Sequence, residues 1–364
     1  MNPTPEQFAA IRSGLAVLDP NASSTVSGAD RPNPAEIFAP EQHVGALDPD
    51  TTIVLGARGA GKSFWAGVLA HPDTRAIAAD AYPHIDLGRI DVALGYTGQE
   101  GDQSISRATL DARVPVGAEA AQGVLFWRCV LLRAVEQVIN PNQPLQRISA
   151  MMTQYADPED WEEAMGNADV TLRERSRLAV VLFDALDSLA IEWDRLRDLT
   201  DALLQVAWGV RGYRSIRTKL FLRPDQMQDL GLRFIELPKL ISGATTLGWT
   251  ATNLYGMLFS RLATSSSEGA REALKRVLDS CSLPPPPIAR QRFAGGAFRT
   301  TATTRSDSSN ASRASTWAAA IKKGAPTIGQ LAISQTDMVW SLRVVSWYLC
   351  SQRPLGNPLP IIKR

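Results

Sequence analysis

Eight residues, "GARGAGKS" at 56–63, have the types and spacing that bind a phosphate chain. Gly56, Gly61, Lys62 and Ser63 satisfy the pattern G-x-x-x-x-G-K-[ST], and the short apolar run "TTIVL" stands directly before it. That run predicts a buried strand, and "KSFWAGVLA" after it predicts a helix that ends before Pro72. The segment is therefore predicted to be a phosphate-binding loop between a strand and a helix.

Each residue type in the loop has a chemical role. Gly56, Gly59 and Gly61 allow backbone angles that let successive N–H groups converge on phosphate oxygens, and the start of the following helix favours an anion. Lys62 should reach the β- and γ-phosphates, and the Ser63 hydroxyl should ligate Mg²⁺. The cofactors predicted are thus ATP and Mg²⁺. The structural alternative is a glycine-rich turn that only connects the strand to the helix. The remaining predicted nucleotide contacts are Arg58, Ala60 and Phe64.

A carboxylate for the metal is predicted at the end of another strand. In "RLAVVLFDALDSLA", the residues from Leu178 to Phe183 form an apolar strand, and Asp184 lies at its carboxyl end. Asp184 is predicted to hold Mg²⁺ through water, and Asp187 to act as general base or to position the attacking water. The structural alternative makes Asp184 a helix N-cap and Asp187 a carboxylate in the first helical turn.

A third group emerges from "IRTKLFLRPDQM", where a strand is predicted to end at Arg223. Its guanidinium would contact the γ-phosphate or respond to its loss. The equally weighted alternative is a structural ion pair of Arg223 with Asp225 or with Asp184. Adenine is expected near the segment "EIFAPEQH", at 36–43, and Trp249 and Tyr255 are interpreted as core residues.

These groups have to be positioned by an α/β fold with a five-stranded parallel core sheet, because strand-like and helix-like segments alternate from 46 to 265. A helix with Leu247, Leu254, Leu258 and Leu262 in phase is predicted behind the last strand. The five strands are predicted near 51–56, 89–96, 178–184, 217–223 and 232–237.

The order of phosphate loop, strand ending in DxxD and strand ending in Arg resembles P-loop ATPases of the additional-strand class. Within that class the chain most resembles the STAND and KAP-type branches, neighbours of the AAA+ ATPases. "KLFLRPDQM" and the helix in "LGWTATNLYGMLFSRL" resemble bacterial ATPases found beside phage-defence and DNA-processing genes. The resemblance covers about 38–265 and implies an ATP-driven switch or remodeller with sheet order 5-1-4-3-2. An antiviral-defence role is part of that expectation.

The chain departs from these families at three positions. Ala185 stands where many AAA+ ATPases have a glutamate, and Ser188 where STAND proteins often have a further acid. Arg223 followed by Pro224 replaces the polar sensor residue that ends the fourth strand. Slow turnover is therefore expected. The long separation of Ser63 from Asp184 also predicts an insertion near 80–165, which includes an apolar helix.

Composition bounds the class of protein. Of 364 residues, 45% are apolar and 21% charged, as in ordinary globular proteins, and three scattered cysteines favour a reducing compartment. No signal peptide or membrane-spanning stretch is recognised, so a cytoplasmic location is expected. The predicted divisions are a polar N-terminal segment at 1–45, the ATPase core at 46–265, a helical lid and Pro/Ser/Thr-rich linker at 266–316, and a basic helical segment at 317–364.

Charge is unevenly distributed. Residues 285–364 hold eleven Lys or Arg and two Asp, a net charge of +9, which leaves −8 for the rest of the chain. This basic segment is expected to contact nucleic acid, a protein partner or the acidic body of the chain itself. Self-association is also expected, with Arg223 or Arg261 supplied in trans. The alternative functions are a nucleotide-gated binding module with little turnover and a P-loop small-molecule kinase, for which no lid is recognised.

Overall fold

The computed structural model describes residues 4–18, 30–100, 104–228 and 234–280. The chain divides into two compact units, one containing 4–18 with 251–280 and the other containing 30–250. The basic segment 285–364, and with it the linker and the predicted C-terminal helix, lies outside the described residues. The predicted domain boundaries are otherwise compositional and stay predictions.

The larger unit is built on one parallel sheet of five strands, which confirms an α/β fold. The strand order is β2-β3-β4-β1-β5. Four of the strands coincide with predicted segments. The strands are β1 (Ile53–Leu55), β2 (Ile90–Tyr96), β3 (Leu178–Phe183), β4 (Ile216–Leu222) and β5 (Thr245–Thr246).

The fifth strand is not where the sequence predicted it. Residues 234–236 are not in a strand and a short helix begins at Leu237, while Thr245–Thr246 pairs with Val54 and Leu55 instead. Pro238 has no N–H for a ladder, and the Phe234 ring packs against Trp208 rather than along the sheet. Written from the opposite edge, the observed order is 5-1-4-3-2, but a different segment from the predicted one fills its fifth place.

Helices cover both faces of this sheet, as a parallel sheet with two apolar faces requires. On one face the long helices α5 and α8 pack on β2, β3 and β4. On the other face α2 packs on β2 and β4, and α3 belongs to the same apolar layer. The helices of this unit are α2 (Lys62–Ala70), α3 (Pro72–Ala81), α4 (Arg107–Arg113), α5 (Glu119–Ile139), α6 (Ile148–Gln154), α7 (Pro158–Glu174), α8 (Trp193–Val210), α9 (Pro224–Met227) and α10 (Leu237–Ser242).

Successive residues along each strand enter opposite layers, which is the period-two geometry of a strand. Val180 and Leu182 belong to the layer with α2 and α3, whereas Val181 and Phe183 belong to the layer with α5 and α8. The region between β2 and β3, where an insertion was expected, contains α4 to α7.

Within its described residues, the smaller unit packs three helices: α1 (Pro5–Val17), α11 (Ala251–Ala263) and α12 (Glu268–Ser280). Its apolar centre includes Ile11, Leu262 and Leu274. A Cβ atom at Gly14 would clash with the Ala270 Cβ atom, so α1 and α12 are in close contact there. Across both units, no described helix is both long enough and apolar enough to pass through a bilayer.

Candidate functional site

Three strand ends bring the predicted site residues to one edge of the sheet. The Gly56 N–H donates to the Leu222 carbonyl at 3.0 Å, and the Asp184 N–H donates to the Tyr96 carbonyl at 2.8 Å. Because β1 lies beside β4 and β4 beside β3, the residues that follow them meet at the carboxyl edge. Open α/β sheets bind ligands at this edge.

The loop at 56–63 adopts a shape that depends on its glycines. Gly59 has φ +81° and Gly61 has φ +99°, both in the left-handed region that side-chain-bearing residues rarely adopt. Gly61 stands directly before α2, so the free N–H groups of the first helical turn lie at the loop. The predicted strand–loop–helix arrangement is therefore present.

Lys62 folds back over this loop. Its Nζ donates to the Gly56 carbonyl at 2.8 Å and to the Ala57 carbonyl at 3.3 Å. Burial lowers the pKa of Lys62, while the charges of Asp184 and Asp187 raise it. The ammonium group is thus held beside the loop, among the acids that the sequence analysis singled out.

Two further predicted contacts lie in the loop and at the start of α2. The Arg58 side chain is exposed at the tip of the loop. The Phe64 ring is half-buried and meets the Trp65 ring edge-on, with centroids 5.6 Å apart. Phe64 consequently contributes to the packing of α2, and its contact with a nucleotide stays a prediction.

Asp184 is the most unusual group of the site. Asp184 is only 1% exposed to solvent, yet neither of its carboxylate oxygens has a hydrogen-bond partner of normal geometry among the described residues. Burial raises the pKa of Asp184, and the nearby Ser63 hydroxyl, Ala185 N–H and Lys62 ammonium oppose that rise. A buried carboxylate without partners is costly unless a cation or donor completes it.

The donors around Asp184 suit Mg²⁺. A Mg²⁺ ion in a nucleotide site takes one or two protein oxygens together with phosphate oxygens and water, and Ser63 and Asp184 are two such groups. No cluster of three or more His, Cys, Asp or Glu side chains fit to hold a metal occurs within the described ranges. An all-protein metal cage is therefore not formed there, and the donor set fits an ion shared with phosphates.

The chain turns sharply after Asp184. Ala185 has φ +54°, a left-handed conformation that costs energy in a residue other than glycine and is concentrated at functional sites. A short 3₁₀ turn, Leu186–Ser188, follows it. The Ser188 N–H and hydroxyl both donate to the Ala185 carbonyl, at 2.9 and 2.7 Å. The turn that carries Asp187 is thus closed by Ser188.

Tyr96, at the end of β2, supports this turn from the neighbouring strand. Its hydroxyl lies 3.2 Å from the Ser188 Oγ, at hydrogen-bond distance. Neither Tyr96 nor Ser188 was identified as a site residue from sequence. Their only sequence signals were a polar ring at a strand end and a serine directly after DxxD.

Arg223 has a definite partner in the structure. Its Nε and Nη2 atoms donate to the two carboxylate oxygens of Asp225 at 3.0 and 2.6 Å, and its Nη1 lies 3.8 Å from the Asp187 Oδ2. Asp225 is the main cause of the raised pKa of Arg223, and Asp187 contributes to it. Of the two structural pairs considered from sequence, the one with Asp225 is present.

Gln226 is another residue that the sequence analysis missed. Its Oε1 accepts from the Arg223 N–H at 3.0 Å, which fixes the turn from β4 into α9. Its Nε2 is buried and has no partner among the described residues. The signal available in sequence was its position three residues after Arg223, where a glutamine can complete a capping box.

The segment expected near adenine lies beside α2. The Trp65 Nε1 donates to the His43 Nδ1 at 3.1 Å, and the Tyr82 hydroxyl donates to the Pro40 carbonyl at 2.7 Å. The first contact joins His43 to α2, the helix that follows the phosphate loop, and the second joins Pro40 to the end of α3. Adenine contact with it stays a prediction.

Comparison of the chain with protein-family models, with curated proteins and with solved structures found no match. The geometry of the site combines a loop shaped by glycines, a lysine, a hydroxyl, a buried carboxylate without a hydrogen-bond partner of normal geometry and a half-exposed carboxylate beside an arginine.

Proposed function

We propose that this chain binds MgATP at the loop 56–63 and hydrolyses it slowly, as a switch or remodelling ATPase. The observation that carries the proposal is Asp184, whose two buried oxygens have no hydrogen-bond partner of normal geometry among the described residues and lie near the Ser63 hydroxyl, the Ala185 N–H and the Lys62 ammonium group. A carboxylate in that position is suited to a cation that arrives with phosphate.

The loop and Lys62 would bind the phosphates. The free N–H groups at the start of α2 would donate to the phosphates, and Lys62 can exchange its two loop carbonyls for phosphate oxygens, which are stronger acceptors. Ser63 and Asp184 would hold the metal. When bound, Mg²⁺ neutralises charge that develops on the phosphate oxygens.

Asp187 and Arg223 would act on the far side of the γ-phosphate. The Asp187 side chain is 44% exposed, and its turn is closed by Ser188, so it can reach a water molecule at the site edge. Proton acceptance by Asp187 and charge neutralisation by Arg223 are the two expected contributions to hydrolysis.

A nucleotide-gated binding module with little turnover is the second candidate. It is favoured by the two-point pairing of Arg223 with Asp225, which occupies the guanidinium that would otherwise face the γ-phosphate. In this alternative, ATP changes the conformation of the chain and is seldom cleaved.

The resemblance to STAND and KAP-type ATPases supports further proposals about context. These are a cytoplasmic role in phage defence or DNA processing, ATP-dependent self-association, and contact of the basic segment 285–364 with nucleic acid or protein. The charge of that segment supports the last of these proposals.

Titration calorimetry of MgATP with the full chain, followed by a steady-state phosphate-release assay, tests the proposal. Lys62→Ala should abolish measurable binding, whereas Lys275→Ala, at an exposed position of α12, should bind as the parent does. Binding without phosphate release would select the gated module. A parent chain that takes up no MgATP at millimolar concentration would refute both candidates.

A further inference from the structure

One hydrogen bond joins the phosphate loop to a residue that the sequence assigned to the core. The Trp249 Nε1 donates to the Ala60 carbonyl at 3.0 Å. Trp249 is half-buried, and it lies two residues before α11 begins. The contact links the loop to a segment far away in the chain.

The Ala60 carbonyl matters because of the peptide that it belongs to. In a planar trans peptide the carbonyl of Ala60 and the N–H of Gly61 point in opposite directions. Fixing the carbonyl toward Trp249 therefore fixes the direction of the Gly61 N–H. That N–H is one of the donors expected to face phosphate.

Trp249 is itself held in place from two directions. Its ring meets the His43 ring edge-on at 4.8 Å between centroids and stacks on the Phe38 ring at 6.4 Å. The backbone before it is anchored to the sheet, since the Leu247 N–H donates to the Leu55 carbonyl at 2.7 Å. The indole N–H is thus aimed at the loop by fixed surroundings.

His43, which contacts the Trp249 ring, is held as the neutral tautomer with its proton on Nε2. Its Nδ1 accepts from the Trp65 Nε1 at 3.1 Å, so the ring proton is on Nε2, which lies 2.8 Å from the Gly248 carbonyl. Burial lowers the pKa of His43 and favours this neutral form. Gly248, which precedes Trp249 in the chain, and His43, whose ring contacts the Trp249 ring, are therefore both held in place.

We propose that Trp249 is a positioning residue for phosphate binding: its indole N–H holds the Ala60 carbonyl so that the Gly61 N–H faces the polyphosphate. The inference rests on the proposed function and adds a residue to it. It differs from base stacking, because it acts on the phosphate chain whatever base is attached.

Trp249→Phe removes the N–H donor and keeps an aromatic ring, and inorganic tripolyphosphate with Mg²⁺ is a probe that has phosphates but no base. Calorimetry should show the variant losing affinity for MgATP and for Mg–tripolyphosphate alike, by roughly 3- to 10-fold, the scale of one net hydrogen bond. Trp208→Phe is the matched control, because Trp208 packs against Phe234 and Arg211 elsewhere in the same unit.

A second measurement separates positioning from general destabilisation. Amide hydrogen exchange at 57–63 in the nucleotide-free chain should accelerate in Trp249→Phe and not in Trp208→Phe, while the melting temperatures of the two variants stay close. Faster exchange confined to the loop supports the proposal even if the variant binds too weakly for calorimetry.

The remaining outcomes overturn it. Loss of ATP affinity with unchanged tripolyphosphate affinity would make Trp249 a base-stacking residue, and no loss for either ligand would leave it a packing residue. In both cases the proposed function is unaffected, because Lys62→Ala tests MgATP binding at the loop independently of Trp249. A parent chain that binds neither probe would refute the proposed function and this inference together.

Discussion

Arg223 and Asp225 form a two-point ion pair at the end of β4, with contacts of 3.0 and 2.6 Å. The same guanidinium lies 3.8 Å from Asp187, so Arg223 stands between two carboxylates at the ligand edge of the sheet. The pair is one-third to one-half exposed, which allows the guanidinium to turn away from Asp225 toward a phosphate.

We expect Asp225→Asn to release Arg223 and to raise MgATP affinity by about 3-fold or more, since neutral acceptors bind a guanidinium less strongly. Removing a negative charge near phosphate would also raise affinity without Arg223. Calorimetry of Asp225→Asn in an Arg223→Gln background distinguishes the two causes. A gain of the same size in that background would show that Arg223 is not restrained by Asp225.

The two acids of the DxxD motif should divide their roles. Asp184→Asn should remove the Mg²⁺-dependent part of ATP affinity, whereas Asp187→Asn should keep it and slow phosphate release by roughly 10²-fold, the scale of a lost general base. Binding measured with and without Mg²⁺, beside single-turnover hydrolysis, checks this. Equal losses of binding in both variants would contradict the division.

Asp184→Asn should also leave the nucleotide-free protein at least as stable as the parent chain. The parent keeps a buried carboxylate whose pKa is raised by burial, so at neutral pH its charged form opposes folding. A melting temperature that falls by several degrees in the variant would contradict this reading of Asp184.

Backbone conformation, and not space, should limit substitution at Gly59. A Cβ atom at Gly59 or at Gly166 of α7 would meet nothing within 4 Å, but Gly59 has φ +81°. Gly59→Ala should strain the loop by about 1–2 kcal/mol and weaken MgATP binding about 10-fold. Gly166→Ala should leave binding unchanged and stabilise α7 by up to ~1 kcal/mol. Similar affinities for the two variants would mean that the loop does not need this conformation.

Lys219 should give the fold a distinctive pH dependence. It is completely buried in β4, its Nζ donates to the Gly45 carbonyl at 2.9 Å, and burial lowers its pKa to about 7. The unfolded chain has an ordinary lysine, so between pH 7 and about 10 it binds more protons than the folded chain. The contribution of Lys219 to the free energy of unfolding therefore increases as the pH rises from 7 to about 10.

Denaturant unfolding at several values between pH 6.5 and 9.5 measures this effect. As the pH rises, the free energy of unfolding of the parent should increase relative to that of Lys219→Met. Lys275→Met, at an exposed lysine of α12, is the matched control variant. Parallel curves for parent and Lys219→Met would show that Lys219 is not destabilised in its charged form.

Sequence predicted the parts of the site that neighbouring residues determine. The loop after β1 and Asp184 after β3 follow from short apolar runs that end in glycines or acids, patterns visible within a dozen residues. β5 was missed because Thr245–Thr246 has no pattern of its own and becomes a strand only by pairing with β1.

The supporting residues could not be predicted for the same reason. Tyr96 reaches Ser188 across 92 positions, and Trp249 reaches Ala60 across 189. From the sequence, Lys219 would be predicted to be an exposed strand residue. In the structure its ammonium group is buried and donates hydrogen bonds to the Gly45 and Asp48 carbonyls. Such contacts depend on the tertiary arrangement, on which local propensity carries no information.

Helix α5 has a consequence for how the nucleotide-binding unit can be shortened. Its Phe126 and Trp127 rings are completely buried, and the Trp127 Nε1 donates to the Leu199 carbonyl of α8 at 3.0 Å. The stretch between β2 and β3 thus supplies a large part of the apolar layer on one face of the sheet and is not a surface addition to a complete domain. A trimmed chain that keeps only the phosphate loop and the strands would expose one whole side of the sheet to water, so a minimal soluble fragment of this protein has to include α5.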